Sequence, residues 1–251
     1  MKNIVYYSQK DPRWKNTKYS IRSDKSQTIA TSACGPTSLA MVISTLTETK
    51  ILPPEAAKYA VDNGYRTNNE GTSWAYFNNL ATKHGLTCKQ TPRLDDAKAA
   101  LSNGLLVIAS MGKGHFTGGG HYILLVGINE NWIDVYDPNH LNKSYGTDGK
   151  VKVGIKDDGI VSAIDSVFKT ECKQYWIFDV KEIKVPEKAD PVQTTEKDDG
   201  QVDKVKDILT KDNSVFDGFL KDNINYVSVD VLKALGHKVS WDNNTKKLYI
   251  S

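Results

Sequence analysis

The apolar pattern of this chain changes period once, near residue 105, and that change limits the folds open to it. Before it, apolar residues recur at helical spacing. Leu39, Met41, Val42, Ile43 and Leu46 mark a buried helix, PEAAKYAVDNG at 54–64 a second, SWAYFNNLATKHG at 73–85 a third and LDDAKAALSNG at 94–104 a short fourth. Thr31 or Ser32 is the expected cap of the first, Thr72 or Ser73 of the third, and Gly64 and Gly85 are expected stops. After the change, Leu105–Ser110, HYILLVGI at 121–128, NWIDVYD at 131–137 and QYWIFDV at 174–180 read as strands. HYILLVGI is nearly continuous in apolar residues, which places it centrally in a sheet. IVSAIDSVFKT at 160–170 reads as a weak helix. Helices first and antiparallel sheet second is an α+β order.

Cys34 stands in SACGPTSLAMVIS, where a turn-like stretch passes into the first helix. Unpaired N–H groups and the helix dipole favour a thiolate there, and the thiolate is the nucleophilic form. Pro36 is tolerated in a first turn, and Gly35 with Pro36 suits a helix entrance that a substrate backbone approaches closely. A cysteine beside a buried helix is otherwise inert packing. Amide cleavage by a thiolate also needs a base that passes a proton to the leaving amine, and a group fixing that base.

His121 opens the central strand after three glycines and is the expected base. His115, in the glycine-rich connection MGKGHFTGGG at 111–120, is its serious rival, though such a loop positions a side chain poorly. His84 reads as a helix-end residue, His140 as a turn residue and His237 as the start of a terminal hairpin. Asp137 closes NWIDVYD. If that strand forms a hairpin with the one opened by His121, the carboxylate comes beside the imidazole. Asp137-Pro138 is equally a plain turn signal, and Asp134 is a weaker candidate in mid-strand. An oxyanion needs a side-chain donor besides the Cys34 N–H, and both Gln27 and Gln9, the latter in YYSQKDPRW, are available.

Metal chemistry is disfavoured, since HxxxH, HExxH and CxxC are all absent. Asp95-Asp96 and Asp157-Asp158 read as solvated charges. Three widely spaced cysteines, Cys34, Cys88 and Cys172, make no disulfide framework and suit a reduced compartment. The longest apolar runs fall far short of the roughly 20 residues that span a bilayer, and the start MKNIVYYSQKDPRW has no apolar signal core. A net charge of +3 without a basic stripe disfavours nucleic acid.

Residues 1–185 hold the periodic segments. From 186 to 200 the stretch PEKADPVQTTEKDDG, with two prolines and a net charge of −3 from two lysines and five acids, reads as a linker. Residues 201–251 form an expected small α/β unit. In it Ser228 caps a helix ending at Leu235, Gly236 stops that helix, and Asp242-Asn243-Asn244 turns a terminal hairpin.

Four motifs resemble the C39-like branch of the papain-like cysteine peptidases: YYSQKDPRW at 6–14, TIATSACGPTSLAMV at 28–42, GGGHYILLVGI at 118–128 and VYDPN at 135–139. The resemblance implies a papain-like fold, helices on an antiparallel sheet, with no cofactor and no metal. It implies Cys34, His121 and Asp137 as catalytic residues and Gln9 as oxyanion partner. Many papain-like enzymes place that glutamine six residues before the cysteine, where this chain has Thr28, and this favours Gln9 over Gln27.

NYVSVDVLKALGHKVSWDNNTKKLYI at 225–250 resembles the small repeat named after the N-terminal domain of copper amine oxidases, without a copper site. Such units are similar to ones appended to cell-wall enzymes of clostridia and their bacteriophages. The architecture implies a phage endolysin that waits in the host cytoplasm and reaches the peptidoglycan of a Gram-positive bacterium once a holin opens the membrane. The expected activity is cleavage of an amide in the stem peptide or cross-bridge, with wall binding or self-association through the tail. The alternatives are a peptidase of protein or leader peptides, an N-acetylmuramoyl-L-alanine amidase, and a non-catalytic wall-binding protein.

Overall fold

The computed structural model describes residues 3–68 and 71–180, and five segments farther on: 203–209, 215–221, 224–227, 239–242 and 247–250. The chain divides into two compact units, Met1–Lys184 and Val185–Ser251.

In the first unit, four helices come first: α1 (Ile29–Ser32), α2 (Cys34–Leu46), α3 (Pro53–Asp62) and α4 (Ala75–Lys83). Then follow β1 (Leu86–Thr91), α5 (Leu94–Ser102), β2 (Leu106–Met111), β3 (His121–Asn129), β4 (Trp132–Tyr136), β5 (Val151–Val153), β6 (Ile160–Ile164), α6 (Asp165–Glu171) and β7 (Cys172–Val180). The strands make one sheet in the order β1-β7-β2-β3-β4-β6-β5, with every pairing antiparallel. The run from His121 is its middle strand.

The middle of the sheet is buried on both faces, and the pleat sorts its residues between two cores. Leu106 and Ile108 of β2, Leu124 of β3, and Trp176 and Phe178 of β7 pack with α2, α3 and α4. Val107, Ala109 and Met111, with Ile123, Leu125, Tyr175 and Ile177, pack on the other face with Ala97, Ala100 and Leu101 of α5 and Val167 and Phe168 of α6. The helices therefore cover both faces of the sheet. Each large side chain sealed this way contributes about 1.5–3 kcal/mol relative to exposure.

Two local expectations are corrected, and one strand carries no signal in the sequence. The stretch 160–170 is not one helix: Val161 and Ala163 alternate inward as β6, and only Asp165–Glu171 is helical. LTCKQT forms the edge strand β1, whose polar residues fit because β7 supplies its ladder and mainly Leu86 and Thr91 are buried. The expected caps are not used. Ala33 precedes α2 and Trp74 precedes α4, neither giving a side-chain cap bond. Thr31 instead accepts the Thr28 N–H at 2.9 Å across the start of α1.

Gly35 fits α2 against the sheet. A methyl there would lie 3.2 Å from Thr72 Oγ1 and Tyr122 Cδ2 and 3.3 Å from Phe77 Cζ. The glycine lets α2 pack closely on Thr72, Phe77 of α4 and Tyr122 of β3.

In the second unit, β8 (Asp203–Leu209), β9 (Val215–Lys221) and β10 (Ile224–Val227) form an antiparallel sheet, and β11 (Val239–Asp242) pairs with β12 (Lys247–Ile250). The segment DKVKDIL is thus a strand. The helix ending at Leu235 and the turn at 243–244 lie outside the described residues, as does the linker.

Gly35→Ala is expected to destabilise the protein by about 1–3 kcal/mol through overpacking, measured by denaturant unfolding. An unchanged midpoint would show that the α2–β3 contact yields without cost.

Candidate active site

Cys34 is the first residue of α2. The chain breaks helical geometry at Ala33, with φ −103° and ψ 34°, and starts again with no side chain capping the new helix. The first-turn N–H groups therefore face negative charge on Cys34. His121 is the first residue of β3 and pairs with Met111 of β2. In the β3–β4 hairpin Tyr136 lies opposite Leu124, so the next residue, Asp137, returns beside the start of β3.

These placements join into one hydrogen-bonded chain. His121 Nε2 donates to Asp137 Oδ1 at 2.7 Å, and the Cys34 thiol is hydrogen-bonded to His121. With Nε2 engaged, Nδ1 is the ring nitrogen left for the sulfur. The Asp137 carboxylate is fully buried, and each of its oxygens has a second donor. Oδ1 takes the Asn139 N–H at 2.8 Å, and Oδ2 takes Asn142 Nδ2 at 2.8 Å and the Tyr145 hydroxyl at 3.0 Å. A buried charge so bonded is held as a charge.

The electrostatics separate Cys34 from the other cysteines. Burial raises all three thiols, pushing Cys88 up to about 12 and Cys172 up to about 11. At Cys34 the hydrogen bond and charge of His121, joined by backbone bonds from Tyr122 and Gly35, outweigh burial and bring the thiol below its ordinary value. Burial lowers His121, but the charge and hydrogen bond of Asp137, followed by Cys34, raise it well above a free histidine. A thiolate–imidazolium pair follows from both directions.

Gln9 reaches the same place because its segment is tied to the turn after β4. Gln9 N–H donates to the Pro138 carbonyl at 2.8 Å, and the Tyr6 hydroxyl donates to the Asp137 carbonyl at 2.8 Å. Ser8 Oγ and His140 Nδ1 are bonded at 2.5 Å. Gln9 is buried and gives one Nε2 hydrogen to the Ala30 carbonyl at 2.6 Å, leaving the other available. It lines a cavity with Cys34 and His121. Gln27 lines neither cavity at Cys34; its Oε1 accepts from Ser32 Oγ at 2.6 Å and Arg66 Nη2 at 2.7 Å.

The rival residues are occupied elsewhere. His115 Nδ1 bonds Glu171 Oε1 at 2.5 Å and Nε2 lies 3.2 Å from both Asp148 oxygens. The glycine-rich loop is thus pinned, contrary to expectation: the Glu171 carboxylate also accepts the His115 N–H and occupies the space a side chain on Gly114 would fill. Asp134 accepts from Ser162 Oγ at 2.6 Å across the β4–β6 pair. His84 ends α4, and His237 lies outside the described residues.

Sequence reasoning missed Asn142, Tyr145, Tyr6 and Arg66. The first two fall in the polar turn-rich stretch after Asp137, where no periodicity marks them. Two cavities meet at Cys34. One of about 440 Å³ is lined by Ser32, Arg66, Thr67, Thr72, Ser110 and Tyr122, and one of about 430 Å³ by Gln9, Lys10, Phe116, Thr117, Asn139 and Asn142. Thr31, Cys34, Gly120 and His121 border both. The arrangement can hold an extended chain across a nucleophile, with a proton carrier at the junction.

Residues 1–157 match the family described as "Peptidase_C39 like family". No curated protein matches the chain. Among solved structures, the peptidase domain of Streptococcus ComA, a bifunctional ABC transporter, is 18% identical with a TM-score of 0.41, covering 59% of this chain and 91% of that one. A double glycine motif protease from an AMS/PCAT transporter, solved with its leader peptide, is 19% identical with a TM-score of 0.38, covering 58% and 82%.

With iodoacetamide and peptide mapping, Cys34 is expected to alkylate at pH values well below the ordinary thiol pKa of about 8.5. Cys88 and Cys172 stay unreactive there, and His121→Ala moves the Cys34 profile upward. Asn142→Ala is expected to cost about 1–3 kcal/mol of stability by leaving a buried carboxylate short of a donor, read from denaturant unfolding.

Proposed function

This chain belongs to the Peptidase_C39 like family and is a cysteine peptidase; we propose that it is a peptidoglycan hydrolase cutting an amide of the stem peptide or cross-bridge. The observation that carries the catalytic part is the continuous hydrogen-bonded chain from Cys34 through His121 to buried Asp137, set where two cavities meet. In this reading the Cys34 sulfur attacks the scissile carbonyl carbon. The oxyanion is held by the Cys34 N–H and the free Nε2 hydrogen of Gln9. His121 gives its proton to the departing amine, leaving an acyl thioester on Cys34. It then takes a proton from water, which attacks the thioester and restores the thiolate. Asp137 keeps the imidazole in the required tautomer and balances its charge.

The wall as substrate rests on architecture. A proline-containing acidic stretch at 186–200 separates the peptidase from a C-terminal segment, 225–250, that resembles a repeat found on wall enzymes. On this reading the protein serves host lysis, waiting in the host cytoplasm and acting at a Gram-positive wall, with the tail as wall-binding or self-association unit.

Digestion of purified peptidoglycan tests the proposal. It predicts new free amines without new reducing sugar ends, and fragments ending inside the stem or bridge. Fragments cut at the muramic acid–alanine bond would make the enzyme an amidase instead. Cleavage of a leader-peptide panel with intact walls left untouched would overturn the wall reading. Cys34→Ala is expected to abolish turnover and His121→Ala to lower it by about 10³-fold or more. Asp137→Asn should lower it somewhat less. Cleavage undiminished in Cys34→Ala would refute the nucleophile.

A further inference from the structure

Arg66 is charged, 2% exposed, and paired with no carboxylate among the described residues. Its Nη2 donates to Gln27 Oε1 at 2.7 Å, its guanidinium carbon lies 4.4 Å over the Tyr19 ring, and its Nε is sealed from solvent with no acceptor. Burying a guanidinium this far without a carboxylate is costly unless something else meets the charge. The Cys34 thiolate acts on the guanidinium across the cavity, but the side chain it bonds is His121, so the donors of Arg66 stay open to another anion.

The surroundings hold the side chain in place. Tyr19, beneath it, is fully buried and bonds Thr72 Oγ1 at 2.8 Å, and Thr72 in turn makes a backbone bridge with Arg66. The Arg66 N–H donates to the Ala60 carbonyl at 3.0 Å at the end of α3. Gln27, the hydrogen-bonded neighbour of the guanidinium among the described residues, is itself fixed by Ser32. The cation borders the cavity at Cys34 on the lobe that Gln9 does not line, and the rest of that lobe is hydroxyls, glycine and Tyr122, with no acid among the described residues.

We propose that Arg66 binds a carboxylate of the substrate close to the scissile amide, so that the enzyme selects acidic peptides over their carboxamide counterparts. A planar guanidinium with unused donors suits a carboxylate, and a site built for an anion rejects the neutral isostere because its own charge is then left unmatched. The inference deepens the proposed function and takes its peptide substrate from it. Stem peptides are rich in free carboxylates, which fits them as the occupant.

Two measurements on the full-length protein test it. The first compares synthetic stem peptides whose carboxylates are all free with the same peptides fully carboxamidated. Wild type should favour the acids in kcat/KM by roughly tenfold or more, Arg66→Gln should bring the ratio near one, and Arg66→Lys should fall between. Equal cleavage of acid and amide by wild type would overturn the proposal. The second needs no turnover: the rate of Cys34 alkylation by anionic iodoacetate relative to neutral iodoacetamide. Any change in thiolate fraction cancels in this ratio. It should drop several-fold in Arg66→Gln and less in Arg66→Lys, and an unchanged ratio in both would overturn the proposal. If wild type cuts neither peptide, the stem-peptide reading fails, and the alkylation ratio alone decides the anion site.

Discussion

A carboxylate with no solvent contact organises the candidate site. Asp137 carries its charge inside the protein, and that is tolerable only because every neighbouring element supplies a donor: β3 through His121, the turn after β4 through Asn139, and the stretch beyond it through Asn142 and Tyr145. Its main-chain carbonyl accepts from Tyr6, which draws the N-terminal segment and Gln9 to the same place. Removing a single donor leaves the charge under-compensated, so the parts stand or fall together.

The sheet explains why the reactive groups gather at element ends. Covered by helices on both faces, the interiors of the central strands β2, β3 and β7 are mainly committed to apolar packing. Polar chemistry is left to the first residue of β3, the residue after β4 and the first residue of α2. Close packing at Gly35 sets the distance between α2 and β3. The thiol and the imidazole thus come from different elements, one a helix and one a strand, each holding its side chain rigidly.

Much of this was legible in the chain. The run HYILLVGI marked a central strand because only a strand covered on both faces is apolar throughout, and a hairpin after it was enough to return Asp137 toward His121. The position of Cys34 followed from a turn meeting a helical pattern. What stayed hidden depended on tertiary partners. The polar β1 is a strand because β7 lies beside it. The 160–170 stretch divides because Val161 and Ala163 face a core that helical periodicity does not describe. Thr31 and Ser32 looked like caps for α2, yet the chain spends them on α1 and Gln27. Arg66 had no local signature at all: one arginine in a polar loop becomes notable only when the fold buries it beside Cys34.

The account rests on a sulfur that is ionised because an imidazolium, fixed by Asp137, stands next to it. Ultraviolet titration of thiolate absorbance in wild type, with Cys34→Ser subtracted, measures that state directly. A Cys34 thiolate signal present at neutral pH, lost only on acidification and missing at neutral pH from His121→Ala, is the predicted result. A signal that appears only near the ordinary thiol value of about 8.5, unchanged in His121→Ala, would contradict it.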